Sequence, residues 1–205
     1  FPSKMLAGVG VMFYVLLALR KQLRDAGLLA GNEPDLSVLL DLVAVGTIAD
    51  LVPLDVNNRA LVGAGLRRLR AGQGCAGLRA LIEVSGRDPA RLTAADIGFA
   101  IGPRLNAAGR LEDMAIGIEC LLCDDPTQAY ELAQILNGIN AERRGVQQQM
   151  TDEAEAALTH LALAGEGQAP VALCLFAPAW PPGADGLVAS KMQAKLQRLV
   201  PSVST

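Results

Sequence analysis

Apolar and polar positions alternate along this chain in long blocks. Residues 4 to 27 read as one long apolar helix, its end marked by Arg24 and Gly27 and followed by the polar loop AGNEPD. Its most apolar part, VGVMFYVLLAL (9 to 19), has about eleven residues against the roughly 20 needed to span a bilayer, so it reads as a core helix. A second apolar run, LSVLLDLVAVGTIADLVPL (36 to 54), has helical spacing in its first half. Gly46 and Pro53 punctuate the rest, which puts Asp50 in a bend at the edge of the core. Asn57 or Asn58 is expected to cap a helix running to about Arg70 and ended by Gly72 and Gly74. Shorter helices are expected near 77–84 and 93–101, the second capped by Thr93 with Asp96 three residues on. IGPRLNAAGRLED (101 to 113) then interrupts the apolar pattern with glycine, proline and alanine before a helix near 114–123.

Asp124-Asp125-Pro126 opens a much longer element. Leu132, Leu136, Ile139, Val146 and Met150 recur at helical spacing from Thr127 to about Leu161, a helix of roughly 50 Å at the usual rise. A helix of that length usually connects two bodies. After AGEGQAP, the run VALCLFA reads as a buried strand and GLVASKMQAKLQRL as a helix, so a second domain is expected to begin near 168.

Composition narrows the fold class. The 205 residues are 51% hydrophobic with only 3% aromatics, so the core must be built from Leu, Ala, Val and Ile; the expectation is α/β with helix in excess. The opening at Phe1 and the trailing LVPSVST suggest a fragment. Of four cysteines, Cys120 and Cys123 form a C-x-x-C, but one such pair with a lone His160 falls short of a four-ligand zinc site. Buried free thiols in a reducing cytoplasm are the preferred reading.

Charge is unevenly placed despite a net −3. From Arg59 to Arg110 nine arginines face three acids, whereas residues 111 to 160 carry two arginines and ten acids. The cations of the first segment are all arginine, whose planar fork suits bidentate phosphate contact, and such a segment can track a polyanion. For Arg67, Arg68 and Arg70 a solvated helix face is the simpler account. Arg104, Asn106 and Arg110 differ, because they lie among small residues that let a ligand approach. The alternative is a turn and helix cap held by an internal pair of arginine with Asp113 or Glu112.

Three stretches go beyond composition: DLVAVGTIADLVPLDVNNRALV (41 to 62), GFAIGPRLNAAGRLEDM (98 to 114) and LNGINAERRGVQQQM (136 to 150). Together, in this order and spacing, they resemble the RecJ family of single-stranded-DNA-specific exonucleases in the DHH phosphoesterase superfamily, from about residue 1 to 160. The resemblance implies that residues 1–125 are the C-terminal part of a DHH-type catalytic domain, 126–163 a long connecting helix, and 168–205 the incomplete start of an α/β substrate-binding domain. It implies that Asp50, in the family's GT-x-AD motif, is a catalytic metal ligand of a two-metal Mn²⁺ or Mg²⁺ site, carboxylate oxygen being the donor these hard cations prefer. It further implies that Arg104, Asn106 and Arg110 contact the nucleic acid, with Asn58 and Arg59 supporting the Asp50 loop.

Departures from the family pattern are equally informative. The Asp-x-Asp-x-x-Gly motif, a further aspartate and the Asp-His-His triplet are absent, so this chain alone supplies one metal ligand and is expected to be inactive. Pro181 stands where the family has histidine, and PSVST replaces an expected apolar strand. The implied function is a fragment of a cytoplasmic 5′ to 3′ exonuclease hydrolysing single-stranded DNA in recombination and repair, with a helicase and a single-strand-binding protein as family partners and no membrane. The alternatives are a DHH phosphoesterase acting on short oligonucleotides or cyclic dinucleotides, and a noncatalytic nucleic-acid-binding remnant.

Overall fold

A computed structural model describes residues 3–29, 31, 33–111, 113–164, 175–176, 180, 185–196 and 202–203. The chain divides into two compact units, one of Phe1–Asn106 with Ala115–Asn137 and one of Ala107–Met114 with Gly138–Thr205.

The first unit is helical among its described residues. Helix α1, Gly8–Asp25, ends with Arg24 in its last turn, where a cation complements the carbonyl end of the helix, and Gly27 beyond it takes a left-handed φ of 71°. Phe13 carries α1 into a cluster with Leu36, Val43 and Leu61. A 3-10 turn, Leu36–Leu39, leads into α2, Leu40–Ala49, which is almost wholly apolar and buries Val43, Ala44 and Val45. Helix α3, Val56–Arg70, returns along α2, and the two pack backbone to backbone. A Cβ on Gly65 would stand far inside van der Waals distance of the Leu40 carbonyl oxygen. The α3 cap is Asp55, whose side chain accepts from the Asn58 amide; the expected caps, Asn57 and Asn58, lie inside the helix, and Asn58 is fully buried.

Helices α4, Ala76–Val84, and α7, Ala115–Leu122, meet with similar intimacy, Gly77 facing the Cys120 carbonyl where a side chain has no room. Asp41, 1% exposed within apolar α2, accepts the Cys75 backbone N–H at 2.7 Å and so fixes the entry to α4. A single turn α5, Ala94–Asp96, carries the expected capping box between Thr93 and Asp96. It continues through a π-helical turn, Ile97–Ile101, into α6, Gly102–Leu111.

Residues read from sequence as a small-residue break are therefore helical. Pro103 falls in the first turn of α6, where a missing N–H is tolerated, and Ala107 and Ala108 are fully buried, so the small side chains permit close packing within the helical run. Helix α8, Pro126–Ala164, has 39 residues, about 58 Å at 1.5 Å per residue, and the Asp125 carboxylate accepts from the Thr127 and Gln128 amides at its start.

In the second unit, α8 beyond Gly138 buries Met150 and Ala154, and α9, Asp185–Leu196, buries Val188 and Met192. The described β structure is two-residue: β1, Leu175–Phe176, pairs in parallel with β2, Ser202–Val203, so part of the closing PSVST does adopt strand geometry. Most of the expected strand VALCLFA, and Pro181, lie outside the described residues. Among the described residues no helix is long and apolar enough to cross a membrane.

Trp180, the sole tryptophan, is 5% exposed and its indole N–H donates to the Glu153 carboxylate on α8 at 2.8 Å. That bond, with a second from Gln149, holds the Glu153 carboxyl below its ordinary value. A depressed folded pKa contributes stability above the unfolded value and loses it as pH falls through the folded one. The expected result is a red shift of Trp180 emission on acidification below about pH 4.5, and Glu153→Gln should flatten that titration. An emission maximum that is constant from pH 6 to 3 would mean the contact does not hold the tryptophan.

Candidate metal and nucleic-acid site

Asp50 closes α2 as its C-cap, its own N–H bonded to the Gly46 carbonyl at 3.0 Å. Its carboxylate is exposed and has no hydrogen-bond or ion-pair partner among the described residues. A negative charge at the carbonyl end of a helix is unfavourable by about 0.3–1 kcal/mol, so Asp50 contributes nothing to its helix. Leu51 adds to this: it has φ 54°, the one positive φ recorded outside glycine among the described residues, and 87% exposure. A branched side chain in the left-handed region costs of order 1–3 kcal/mol. An unpartnered acid beside a strained, exposed leucine is a poor stabilising device.

The bend that follows Asp50 is firmly held. Asn58 donates from Nδ2 to the carbonyls of Pro53 at 2.8 Å and Met5 at 2.7 Å, tying residues 50–55 to the N-terminal segment. Its Oδ1 is buried with no partner among the described residues. Asp55 accepts from the Asn58 amide and from the Ser3 hydroxyl, and these bonds, the amide first, lower its pKa. Arg59, one position beyond Asn58, is exposed.

The α6 residues separate by face. Arg104 is 9% exposed; its Nε donates to Asn137 Oδ1 at 3.0 Å and Nη1 to the Ala100 carbonyl at 2.6 Å. The first of these bonds ties α6 to α8 at Asn137. Asn106 is exposed. Arg110 lies in the last turn of α6 and in the second unit, and its side chain is outside the described residues. Glu112, one of the acids weighed as an internal partner for these arginines, is also outside them. Further along, in the second unit, Arg143 donates to Asn140 at 3.0 Å and Gln147 at 3.1 Å.

The remaining arginines of the basic segment serve the fold more than a surface. Arg70 donates to the Leu92 carbonyl at 2.8 Å and Arg68 to the Gln73 carbonyl at 3.1 Å, each bracing the chain beyond α3. Arg87 pairs with Asp96 at 3.4 Å and Arg91 with Asp88 at 3.8 Å. Arg67 and Arg79 are exposed. Of the C-x-x-C pair, Cys120 is a buried free thiol whose pKa burial pushes up to about 11, and Cys123 donates to the Asp125 carbonyl. Cys120 is therefore not poised as a thiolate.

No group of three His, Cys, Asp or Glu among the described residues comes together to hold a metal. Asp50 offers one hard oxygen donor, whereas Mg²⁺ and Mn²⁺ take about six, so these residues do not by themselves make a metal site. Sequence reasoning overlooked Asn137, the anchor of Arg104, and Phe99, which is 85% exposed on the π-turn before α6. The signal for Phe99 was present: it lies two residues from buried Ile97 and Ile101, on the opposite side of the helical pattern.

The single-stranded-DNA-specific exonuclease RecJ of Dickeya dadantii is 50% identical over 203 residues, which is 98% of this chain and 35% of that protein. The chain is homologous to RecJ. RecJ of Escherichia coli is 47% identical over 203 residues, and RecJ of Bacillus subtilis 38% over 198 residues, 23% of its length. The chain thus spans about a third or less of the curated RecJ proteins it matches. A crystal structure of RecJ from Thermus thermophilus with Mg²⁺ matches with TM-score 0.78 at 35% identity, covering 95% of this chain and 28% of that one. A manganese-bound RecJ structure matches with TM-score 0.81, covering 98% and 47%. No family model matches the chain.

Proposed function

We propose that this chain is a segment of a RecJ-type exonuclease, a Mn²⁺- or Mg²⁺-dependent hydrolase that cleaves phosphodiester bonds of single-stranded DNA from the 5′ end, in the cytoplasm, during recombination and repair. In this reading residues 1–125 belong to the catalytic domain, 126–163 connect, and 168–205 begin an α/β substrate-binding domain. Asp50 is one metal ligand, with Asn58 and Arg59 supporting its loop; the other ligands come from sequence beyond these 205 residues. Bound metal would polarise the phosphoryl group and activate water. Asn106 and Arg110 meet the strand, and Arg104 serves them by anchoring α6 to Asn137. A helicase that opens duplexes and a protein that coats single strands are the natural suppliers of such a substrate.

The observation that carries this reading is the unpartnered carboxylate of Asp50 at the end of a buried helix, in a chain homologous to RecJ over nearly its whole length. The test is a fluorescence-anisotropy titration of the chain with 5′-labelled single-stranded DNA, with and without Mn²⁺, at two salt concentrations, with cleavage monitored. Binding that weakens with salt, without cleavage, is the expected result. Metal-dependent cleavage by these residues alone would contradict the single-ligand reading. Absence of binding by a folded chain would remove the strand-contact assignments.

A further inference from the structure

Phe99 stands out against its surroundings. Within five residues of π-helix, Ile97 and Ile101 are fully buried and Ala100 is 3% exposed, while Phe99 is 85% exposed. Leaving a large aromatic in water forgoes the hydrophobic gain that its neighbours collect. The exposure is set by register, since a residue two positions from Ile97 lies on roughly the opposite side of the helical turn from it. π-turns are uncommon insertions that recur at functional sites.

The location adds chemistry. Gly98, next to Phe99, and Gly102, three residues beyond it, both lie against the last turn of α2: a Cβ on Gly98 would sit 3.4 Å from Ile48 Cγ2, and one on Gly102 3.4 Å from Ala49 Cβ. The next residue of α2 is the cap Asp50. The turn presenting Phe99 is therefore packed on the turn presenting the unpartnered carboxylate. Asn106, seven residues along, is also exposed, while Arg104 between them is buried.

We propose that Phe99 is a stacking platform for a nucleobase of the single-stranded substrate, and that it helps the enzyme select unpaired strands. The inference rests on the exonuclease reading above. An aromatic face takes any base, because every base has a π-face, so it supplies affinity without sequence preference. In a duplex those faces are already covered by neighbouring base pairs. Phe99 can engage a base only when the strand is unpaired, so its contribution separates single from double strands rather than one sequence from another.

The experiment uses the full-length protein, with wild type, Phe99→Ala, Phe99→Leu and Phe99→Trp compared on single-stranded oligonucleotides carrying one abasic position moved stepwise from the 5′ end. Phe99→Ala and Phe99→Leu should weaken binding of the intact strand by about 5- to 150-fold, and Phe99→Trp should retain it. For wild type one abasic position should give a similar loss, and Phe99→Ala should not lose affinity further on that oligonucleotide. Single-strand affinity within twofold of wild type in all three variants would overturn the inference, as would losses that simply add to the abasic loss. A drop in melting temperature without such coupling would assign Phe99 to packing against the rest of the longer protein, and overturn it likewise. If wild type neither binds nor cleaves single strands, it is the functional reading that has failed, and the wild-type lane alone reveals this.

Discussion

Replacing Asp50 by alanine in the full-length protein should reduce metal-dependent cleavage of single-stranded DNA by at least about 10³-fold while leaving the protein folded and able to bind the strand. The size follows from chemistry: a metal-assisted hydrolysis that loses a carboxylate ligand loses several kcal/mol of transition-state stabilisation, and 1.36 kcal/mol is tenfold in rate. The preserved fold follows from this structure. The Asp50 side chain is exposed and has no partner among the described residues, and its charge opposes the dipole of α2, so its removal should leave the melting temperature unchanged or slightly raised. Asp50→Asn should behave alike, because an amide keeps the shape but is a weak ligand for a hard cation. Full turnover in either variant, measured at saturating Mn²⁺, would remove Asp50 from the metal site.

Arg104→Ala should act through stability first. The substitution removes the side-chain donor to Asn137 Oδ1 and to the Ala100 carbonyl in a position 9% exposed, and with it the buried aliphatic stem of the arginine. Losing buried charge-assisted hydrogen bonds and their packing costs about 2–4 kcal/mol, a fall of roughly 5–15 °C in melting temperature for a domain this size. Strand affinity should fall only as far as the folded fraction falls, with the slope of binding against salt unchanged. A phosphate contact would behave oppositely, with a normal melting temperature and a shallower salt slope. Arg104→Lys should recover part of the stability, since it keeps a cation but not the fork.

The helices were legible wherever one face decides burial. The end of α1 at Arg24 and Gly27, the capping box at Thr93 and the length of α8 all follow from local chemistry readable in a short window. Legibility failed where small residues are ambiguous. In GPRLNAAGR the same glycine, proline and alanines that suggest a turn also suit the first turn and tight packing of a helix, and only the tertiary setting decides. The cap of α3 was displaced from Asn57 or Asn58 to Asp55 for a similar reason: Asn58 is engaged in bridging Met5 and Pro53, residues distant from one another in sequence. Asp41 was passed over inside its apolar run, although a single acid there implies a buried partner, which proved to be the Cys75 N–H. The bend at Asp50 was readable; that Arg104 points inward and Asn106 outward was not, because that depends on the register of a helix the sequence did not disclose.

The contact between α2 and α3 bears on the order of events in folding. The two helices are consecutive, joined by residues 50–55, and approach until the Gly65 Cα region abuts the Leu40 carbonyl. Closing so short a loop costs little chain entropy, and pairings near in sequence form faster than distant ones. This helical hairpin is therefore a natural nucleus, and its loop is the segment that carries Asp50. On these grounds the hairpin is expected to condense early, and the bend that presents the Asp50 carboxylate would take its shape with it.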